Sequence, residues 1–143
     1  MDAEAVRTTL VAQHDRIRTH LNVCSALARL LRDGQPLQVE LDDALAQLRA
    51  ELAVHNATET ELVRPLLHGS PTWGAVLVDR MLEEHVGEHA AFWEILAGRA
   101  DDVAIRIDDL VEQLEAHMAA EERTFLSPLV LQPDAIARHK EPI

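Results

Sequence analysis

Three pairs of potential metal ligands recur at a spacing of four residues along this chain of 143 residues. The pairs are His55 with Glu59, His85 with His89, and His117 with Glu121. Side chains four residues apart lie on one face of an α-helix, about one turn from each other. Imidazole and carboxylate together bind iron, zinc, copper or manganese in proteins. The spacing therefore predicts helices that carry metal ligands on one face.

The composition is that of an acidic, helix-rich domain. The net charge of −12 opposes binding to nucleic acid and to anionic membranes, and it favours cations. Glycine (5 residues) and aromatic residues (3%) are scarce, and no strand pattern stands out. No apolar run approaches the roughly 20 residues that span a bilayer, and the N-terminal segment does not resemble a leader peptide. Because Cys24 is the only cysteine and cannot form an internal disulfide, we expect a cytoplasmic protein.

Three groups of turn-forming residues divide the chain into four segments. They are Asp33–Pro36, Gly69–Gly74 and Gly98–Asp102. The segments predict helices at roughly 3–32, 38–67, 74–97 and 102–131. Short connections favour antiparallel neighbours, so we predict an all-α fold, an antiparallel up-down-up-down four-helix bundle over residues 1–132. Residues 133–143 are predicted to form a polar C-terminal tail.

Helical periodicity places polar side chains within the apolar stripe of every predicted helix. These side chains are His14, His55, Glu59, His85, His89, His117 and Glu121. A buried carboxylate without a partner costs several kcal/mol, and the stripes offer too few Lys or Arg side chains to neutralise the acids. A single core histidine is most simply structural, whereas polar groups on all the helices favour a metal centre. At a rise of about 1.5 Å per residue, these groups also reach similar heights in the bundle, to within about a turn.

Polar side chains outside the stripes are predicted to have no part in such a centre. Glu88 and Glu115 face outward and are predicted to be solvated surface residues. His20 and Cys24 lie one turn apart, and we interpret them as a surface histidine near a small buried side chain rather than as a redox pair.

One core-facing histidine, followed by His-x-x-x-Glu, His-x-x-x-His and His-x-x-x-Glu on successive helices, resembles the hemerythrin-like (HHE cation-binding) family. The resemblance extends over about residues 10–130. It implies a four-helix bundle that holds two iron ions with an oxo or hydroxo bridge. It also implies that Glu59 and a carboxylate of the fourth helix bridge the two ions. The implied terminal ligands are His14, His55, His85, His89 and His117.

Two adjacent carboxylates could supply the bridge from the fourth helix. Helix geometry favours Glu121, which lies near the centre of the apolar stripe, while Glu122 lies roughly 80° away from it. An internal repeat around Pro65 and Pro128 favours the other choice, because aligning the two prolines pairs Glu59 with Glu122. A π-bulge in the fourth helix would allow that second arrangement.

The implied ligand set fills all but one position of two six-coordinate irons, and an open position is where a small ligand binds. The resemblance suggests dioxygen, peroxide or nitric oxide as that ligand. Leu114, one turn before His117, would line an apolar pocket for it, although this leucine also fits a plain core position. We therefore expect an oxygen- or redox-responsive binding or sensing protein. The alternatives are a catalase-like enzyme that decomposes peroxide, and iron buffering.

Overall fold

Helices make up nearly all of the backbone in the computed structural model, which describes residues 2–68, 75–124 and 126. The side chains of residues 67, 68, 75–78, 80–82, 84 and 85 lie outside the described residues. The elements are α1 (Ala3–Arg32), α2 (Gln38–Thr58), a π-helix (Glu59–Val63), α3 (Arg64–His68), α4 (Ala75–Leu96) and α5 (Ala100–Arg123). No strand occurs among the described residues, which confirms the predicted all-α class. The predicted turn at 69–74 and the predicted tail at 133–143 lie outside that part of the chain.

Both ends of α1 follow from local sequence. The Asp2 carboxylate caps the first turn by accepting a hydrogen bond of 2.8 Å from a backbone N–H. At the other end Gly34 adopts a φ of +99°. Its N–H donates to the carbonyl of Leu31, and the N–H of Gln35 donates to that of Leu30. This pair of bonds is a Schellman motif, which requires glycine because a side chain is strained at positive φ.

The second helical stretch runs from Gln38 to His68 and widens at the π-helix. There the N–H of Arg64 donates to the carbonyl of Glu59, five residues earlier. Pro65 accounts for the widening, because proline has no N–H and its ring clashes with the carbonyl four residues before it. The π-helix therefore begins at a predicted metal ligand of the second stretch, whereas the sequence argument allowed such a bulge only in the fourth helix.

The predicted fourth helix is wrong at its C-terminal end, because it does not continue through Thr124. Residues 125 and 127–131 of the predicted extension lie outside the described part of the chain. The helix α5 ends at Arg123, and Thr124 leaves helical geometry with φ −104° and ψ −105°. The turn returns Leu126 to the core, where its side chain is fully buried and its N–H donates to a carbonyl of the last helical turn at 2.9 Å. Pro128 supplies the reason, because its ring would clash with the carbonyl of Thr124 in a continuing helix.

The hydrophobic core lies along the facing sides of α1, α2, α4 and α5. The helix α1 packs against α2 and α5, and α4 packs against α5. Fully buried side chains recur at three- and four-residue steps, as at Leu41, Leu45 and Leu48 on α2. None of the described helices combines the length and the apolar character needed to cross a membrane. Phe92, a member of this core, packs against a cluster of histidines and glutamates that adjoins it.

Replacing two glycines by alanine is expected to change the free energy of unfolding in opposite directions. Gly34→Ala is expected to lower the free energy of unfolding by about 1–2 kcal/mol, because a residue with a Cβ atom is strained at positive φ. Gly87 is the matched control, since it lies inside α4, is exposed and has open space where a Cβ would stand. Gly87→Ala is expected to raise the stability by about 0.5–1 kcal/mol through helix propensity. Urea unfolding followed by circular dichroism measures both, and effects of the same sign would contradict the assigned end of α1.

Candidate metal centre

A single carboxylate oxygen of Glu121 lies among three imidazoles from three helices. Its Oε1 is 3.2 Å from Nε2 of His14 on α1 and 3.4 Å from Nε2 of His55 on α2. The same oxygen is 3.1 Å from Nε2 of His117, which lies one turn earlier on α5. All four side chains are buried. Glu121 therefore joins two groups of potential metal ligands, one on each side of it.

The first group combines Glu121 with His14, His55 and Glu59. One ligand atom from each of the four side chains lies within 4.8 Å of the others. Nε2 of His55 is 2.6 Å from Oε1 of Glu59, and it is 3.2 Å from Nε2 of His14. The two rings are inclined at 58° with centroids 4.6 Å apart. A buried set of two imidazoles and two carboxylates is typical of a transition-metal site.

The second group places His117 opposite His89 on α4. Their Nε2 atoms are 3.0 Å apart, and the rings meet edge to face at 79°. Phe92 packs against both rings, with centroid distances of 4.9 and 5.5 Å. The side chain of His85 lies outside the described residues, so its place in the centre stays a prediction. Leu114 belongs to the hydrophobic core, and its predicted pocket role likewise stays a prediction.

The acids of this centre are buried without a buried lysine or arginine among the described residues. The buried polar side chains of the described residues are Gln13, His14, Ser25, His55, Glu59, His117 and Glu121, and they include no Lys or Arg. Burial would raise the pKa of Glu121, but hydrogen bonds with Glu59 and the histidines hold this pKa well below its usual range. Burial lowers the pKa of His55, yet hydrogen bonds with Glu121 and Glu59 raise it to about 9. The pKa of His117 is also raised, because Glu121 and Glu88 outweigh its burial. Protons thus supply here the positive charge that a metal cation would bring.

The donor set fits a hard or borderline transition metal such as iron. Imidazole nitrogen and carboxylate oxygen suit such ions, whereas a structural zinc site often includes cysteine. Cys24 lies about 15 Å along α1 from His14 by helical rise. Its side chain is fully buried, and burial raises the pKa of the thiol to about 11. His20 is 25% exposed and faces Glu51 at 3.9 Å, so the geometry agrees with a surface histidine near a small buried side chain.

The buried amide of Gln13 fixes the orientation of the His55 ring through Nδ1, the ring nitrogen that faces away from Glu121. Nδ1 of His55 donates to Oε1 of Gln13 at 2.8 Å, and Nε2 of Gln13 donates to the Thr58 hydroxyl at 3.0 Å. With Nδ1 protonated in this bond, Nε2 is the nitrogen that faces Glu121. This is the tautomer that a metal ligand with an outer hydrogen-bond partner adopts.

Glu122 supports the centre from outside. Its Oε1 accepts a hydrogen bond of 3.2 Å from Nδ1 of His14, and its Oε2 accepts one of 3.1 Å from Nη2 of Arg18. Burial raises the pKa of Glu122, but Arg18 and His14 bring it below its ordinary value. Glu122 is 25% exposed whereas Glu121 is 2% exposed. The structure therefore brings Glu121 into the cluster and directs Glu122 toward Arg18.

Glu88, on α4, contacts the imidazole ring of His117 on α5. Its Oε2 accepts a hydrogen bond of 2.6 Å from Nδ1 of His117, although the Glu88 side chain is 56% exposed. The prediction of a merely solvated Glu88 is therefore wrong. Glu115, the other glutamate predicted to be solvated, is 44% exposed and accepts a hydrogen bond from Arg18.

Sequence reasoning missed Gln13 and Glu88 for different reasons. Gln13 lies three residues after Leu10 and four before Ile17, both fully buried, so an amide in the apolar stripe was a visible signal. Glu88 has a similar spacing, three residues after His85 and four before Phe92, but glutamate is typical of solvated helix surfaces. It is turned about 100° around the helix from His89, and only the packing of α4 on α5 brings it to a ring.

Comparison with models of known protein families identifies a match. The family model of the hemerythrin HHE cation-binding domain matches residues 5–129. Neither the curated proteins nor the solved structures include a match. The matched stretch contains every residue of the cluster, from His14 to Glu121. The chain therefore belongs to the hemerythrin HHE cation-binding domain family, and its His/Glu cluster is that of a metal-binding domain.

Proposed function

We propose that this protein is a non-heme di-iron protein whose centre binds a small oxidant or a diatomic molecule. The observation that carries the proposal is the position of Glu121. Its Oε1 lies within 3.4 Å of ring nitrogens in both ligand groups, those of His14 and His55 on one side and of His117 on the other. A carboxylate shared by two groups of imidazoles fits a bridge between two metal ions, whereas a single ion would need only one of the groups.

The two ligand groups divide between the two irons. His14 and His55 would hold one iron and His85, His89 and His117 the other, with Glu59, Glu121 and an oxo or hydroxo group shared between them. Iron bound in this way supplies one-electron redox chemistry and an open coordination position. The protein's own contribution is to orient the rings and to exclude bulk water from them.

The proposed bundle has its helices in up-down-up-down order over residues 1–132. Two contacts between α1 and α5 support this order. Near the start of α1, Nε of Arg7 donates to the carbonyl of Leu126 beyond the end of α5 at 2.9 Å. At the end of α1, Arg32 lies 3.6 Å from Asp108 in the first half of α5. The two helices thus pair in opposite directions, as the first and last helices of an up-down-up-down bundle do.

The surroundings favour reversible binding over turnover. Leu114 and Met118 on α5 are each 1% exposed, as is Phe92, whose ring lies 5.5 Å from that of His117. Apolar walls favour a small, weakly polar ligand such as dioxygen or nitric oxide, and they restrict the entry of water. We therefore propose an oxygen- or redox-responsive binding or sensing role.

Iron content tests the shared carboxylate. Protein loaded anaerobically with excess Fe²⁺ and then desalted is expected to hold about two irons per chain. Glu121→Ala is expected to hold fewer than one, because it removes the ligand common to both groups. Glu122→Ala is the matched control and is expected to stay near the wild-type content, since its carboxylate contacts Arg18 and the outer nitrogen of His14.

Metal analysis of each variant gives the content, and far-UV circular dichroism verifies that the variants are folded. A single zinc per chain, or no metal, in the wild type would overturn the di-iron proposal. The reverse pattern, with Glu122→Ala losing iron and Glu121→Ala keeping it, would assign the bridge to Glu122.

Visible spectra of the iron-loaded, reduced protein test the ligand. We expect dioxygen or nitric oxide to produce an absorption band that disappears when the gas is removed, because the open position binds without turnover. Sustained oxygen evolution from added peroxide, abolished in Glu59→Ala, would replace binding by a peroxide-decomposing activity. Iron uptake without any spectral response to these molecules would leave iron buffering as the function.

Metal-free stability and metal affinity are expected to change in opposite directions with pH. The pKa of His55 is about 9 in the folded protein, above the value of about 6.5 in an unfolded chain. This raised pKa contributes stability that is complete below about pH 6.5 and is lost as the pH rises through about 9. A ligating imidazole must be neutral, so metal affinity rises over the same range. Thermal unfolding of the metal-free protein measures the stability, and titration with Co²⁺, a redox-stable substitute for Fe²⁺, measures the metal affinity. If both rose or both fell with pH, His55 would not be the group that stabilises the metal-free protein and also binds the metal.

A further inference from the structure

Three side chains accept a hydrogen bond from Nδ1 of a histidine in the cluster, and they differ in exposure. Gln13 is 4% exposed and Glu122 is 25% exposed, whereas Glu88 is 56% exposed. Glu88 nevertheless makes the shortest of the three contacts, 2.6 Å against 2.8 Å for Gln13 and 3.2 Å for Glu122. An exposed carboxylate usually gains little from a surface pair and stays hydrated. A short bond from such a group to a ring that is 4% exposed therefore needs a structural reason.

A cavity of about 420 Å³ between α4 and α5 provides that reason. Ala91 of α4 and Ala116 and Ala120 of α5 line it together with His117. Small side chains at these three positions leave space that larger ones would fill. The Glu88 side chain also lines this cavity, so its carboxylate can reach Nδ1 of the buried His117 ring while it remains in contact with solvent.

The bond selects one orientation and one tautomer of His117. Nδ1 carries the proton donated to Glu88, so Nε2 is the nitrogen that would bind a metal after losing its own proton. This Nε2 lies 3.0 Å from Nε2 of His89 and 3.1 Å from Oε1 of Glu121, inside the ligand cluster. A carboxylate behind a ligating imidazole also makes the ring a stronger electron donor.

We propose that Glu88 is a positioning residue of the metal centre, acting through His117 to fix the ring for metal binding and to place negative charge behind it. This inference rests on the proposed metal-binding function and assigns a part of it to a residue outside the ligand set. Hydrogen-bonded partners of metal-ligating histidines typically change metal affinity by about 10–100-fold when removed.

Two substitutions separate the geometric part of this role from the electrostatic part. Glu88→Ala removes both the hydrogen bond and the charge, whereas Glu88→Gln keeps a carbonyl oxygen that accepts the same bond. Glu94 is the matched control on the same helix, because it is 75% exposed and its carboxylate faces Arg106 of α5 at 3.8 Å rather than a histidine. Glu94→Ala and Glu94→Gln therefore remove the same negative charge from the surface of α4 as the two Glu88 variants do.

The experiment measures Co²⁺ affinity by competition with a chelator, together with the midpoint potential of the iron-loaded protein. Glu88→Ala is expected to weaken Co²⁺ binding by about 10–100-fold, and Glu88→Gln is expected to bind nearly as the wild type does. The potential of Glu88→Gln is expected to be more positive, because a neutral amide stabilises the oxidised metal less than a carboxylate. Both Glu94 variants should match the wild type in both measurements.

Three outcomes would overturn the inference. Glu88→Ala could bind Co²⁺ with wild-type affinity, the potential of Glu88→Gln could stay unchanged, or the Glu94 variants could shift by as much as the Glu88 variants. A wild type that binds no Co²⁺ or iron would instead refute the proposed function itself. Thermal unfolding of the metal-free proteins checks folding, and the potential of Glu88→Gln decides the matter if Glu88→Ala is unstable.

Discussion

The arrangement of the metal centre depends on the buried carboxylate of Glu121. An isolated carboxylate in an apolar core costs several kcal/mol, and no Lys or Arg is buried in the part of the chain that the structure describes. Imidazoles from α1, α2 and α5 surround its Oε1 instead, and they can meet it as protonated partners or as ligands of a shared metal. Contacts of 3.1–3.4 Å to one oxygen require α1, α2 and α5 to direct their polar side chains toward the same point. The rotation of these helices is therefore set by the polar cluster as well as by the apolar packing.

Arginine is placed around the cluster rather than within it. Arg18 is 27% exposed and donates to Glu122, which in turn accepts a hydrogen bond from His14. An arginine between Glu59 and Glu121 would neutralise both acids and occupy the place of a cation. Outside the cluster, the same charge keeps Glu122 ionised and leaves the inner acids available to a metal. The acidic net charge of −12 acts in the same direction over longer distances.

Helical periodicity was enough to predict the course of the described helices and the burial of five polar side chains, because each depends on the chain near it. These side chains are His14, His55, Glu59, His117 and Glu121. The end of α1 depends on Gly34, and the facing of Glu121 depends on its position one turn after His117. The consequences of the two prolines were not predictable in this way. A π-helix accommodates Pro65, while α5 ends before Pro128 and buries Leu126 in the following turn, so aligning the prolines misrepresents the geometry of the two segments. The Glu88 contact was equally inaccessible, because it depends on how α4 lies against α5.

The centre lies between two groups of buried apolar side chains, which differ in size among the described residues. The larger group, on the side of the turn at Gly34, spans α1, α2, α4 and α5 and includes Leu45, Leu48 and Leu110. On the other side, the buried apolar side chains among the described residues are Val6, Leu10, Val63 and Leu126. A metal held by side chains of α1, α2 and α5 would connect these helices at the centre, between the two groups of apolar side chains. Metal loading and the stability of the packed helices are therefore expected to be coupled.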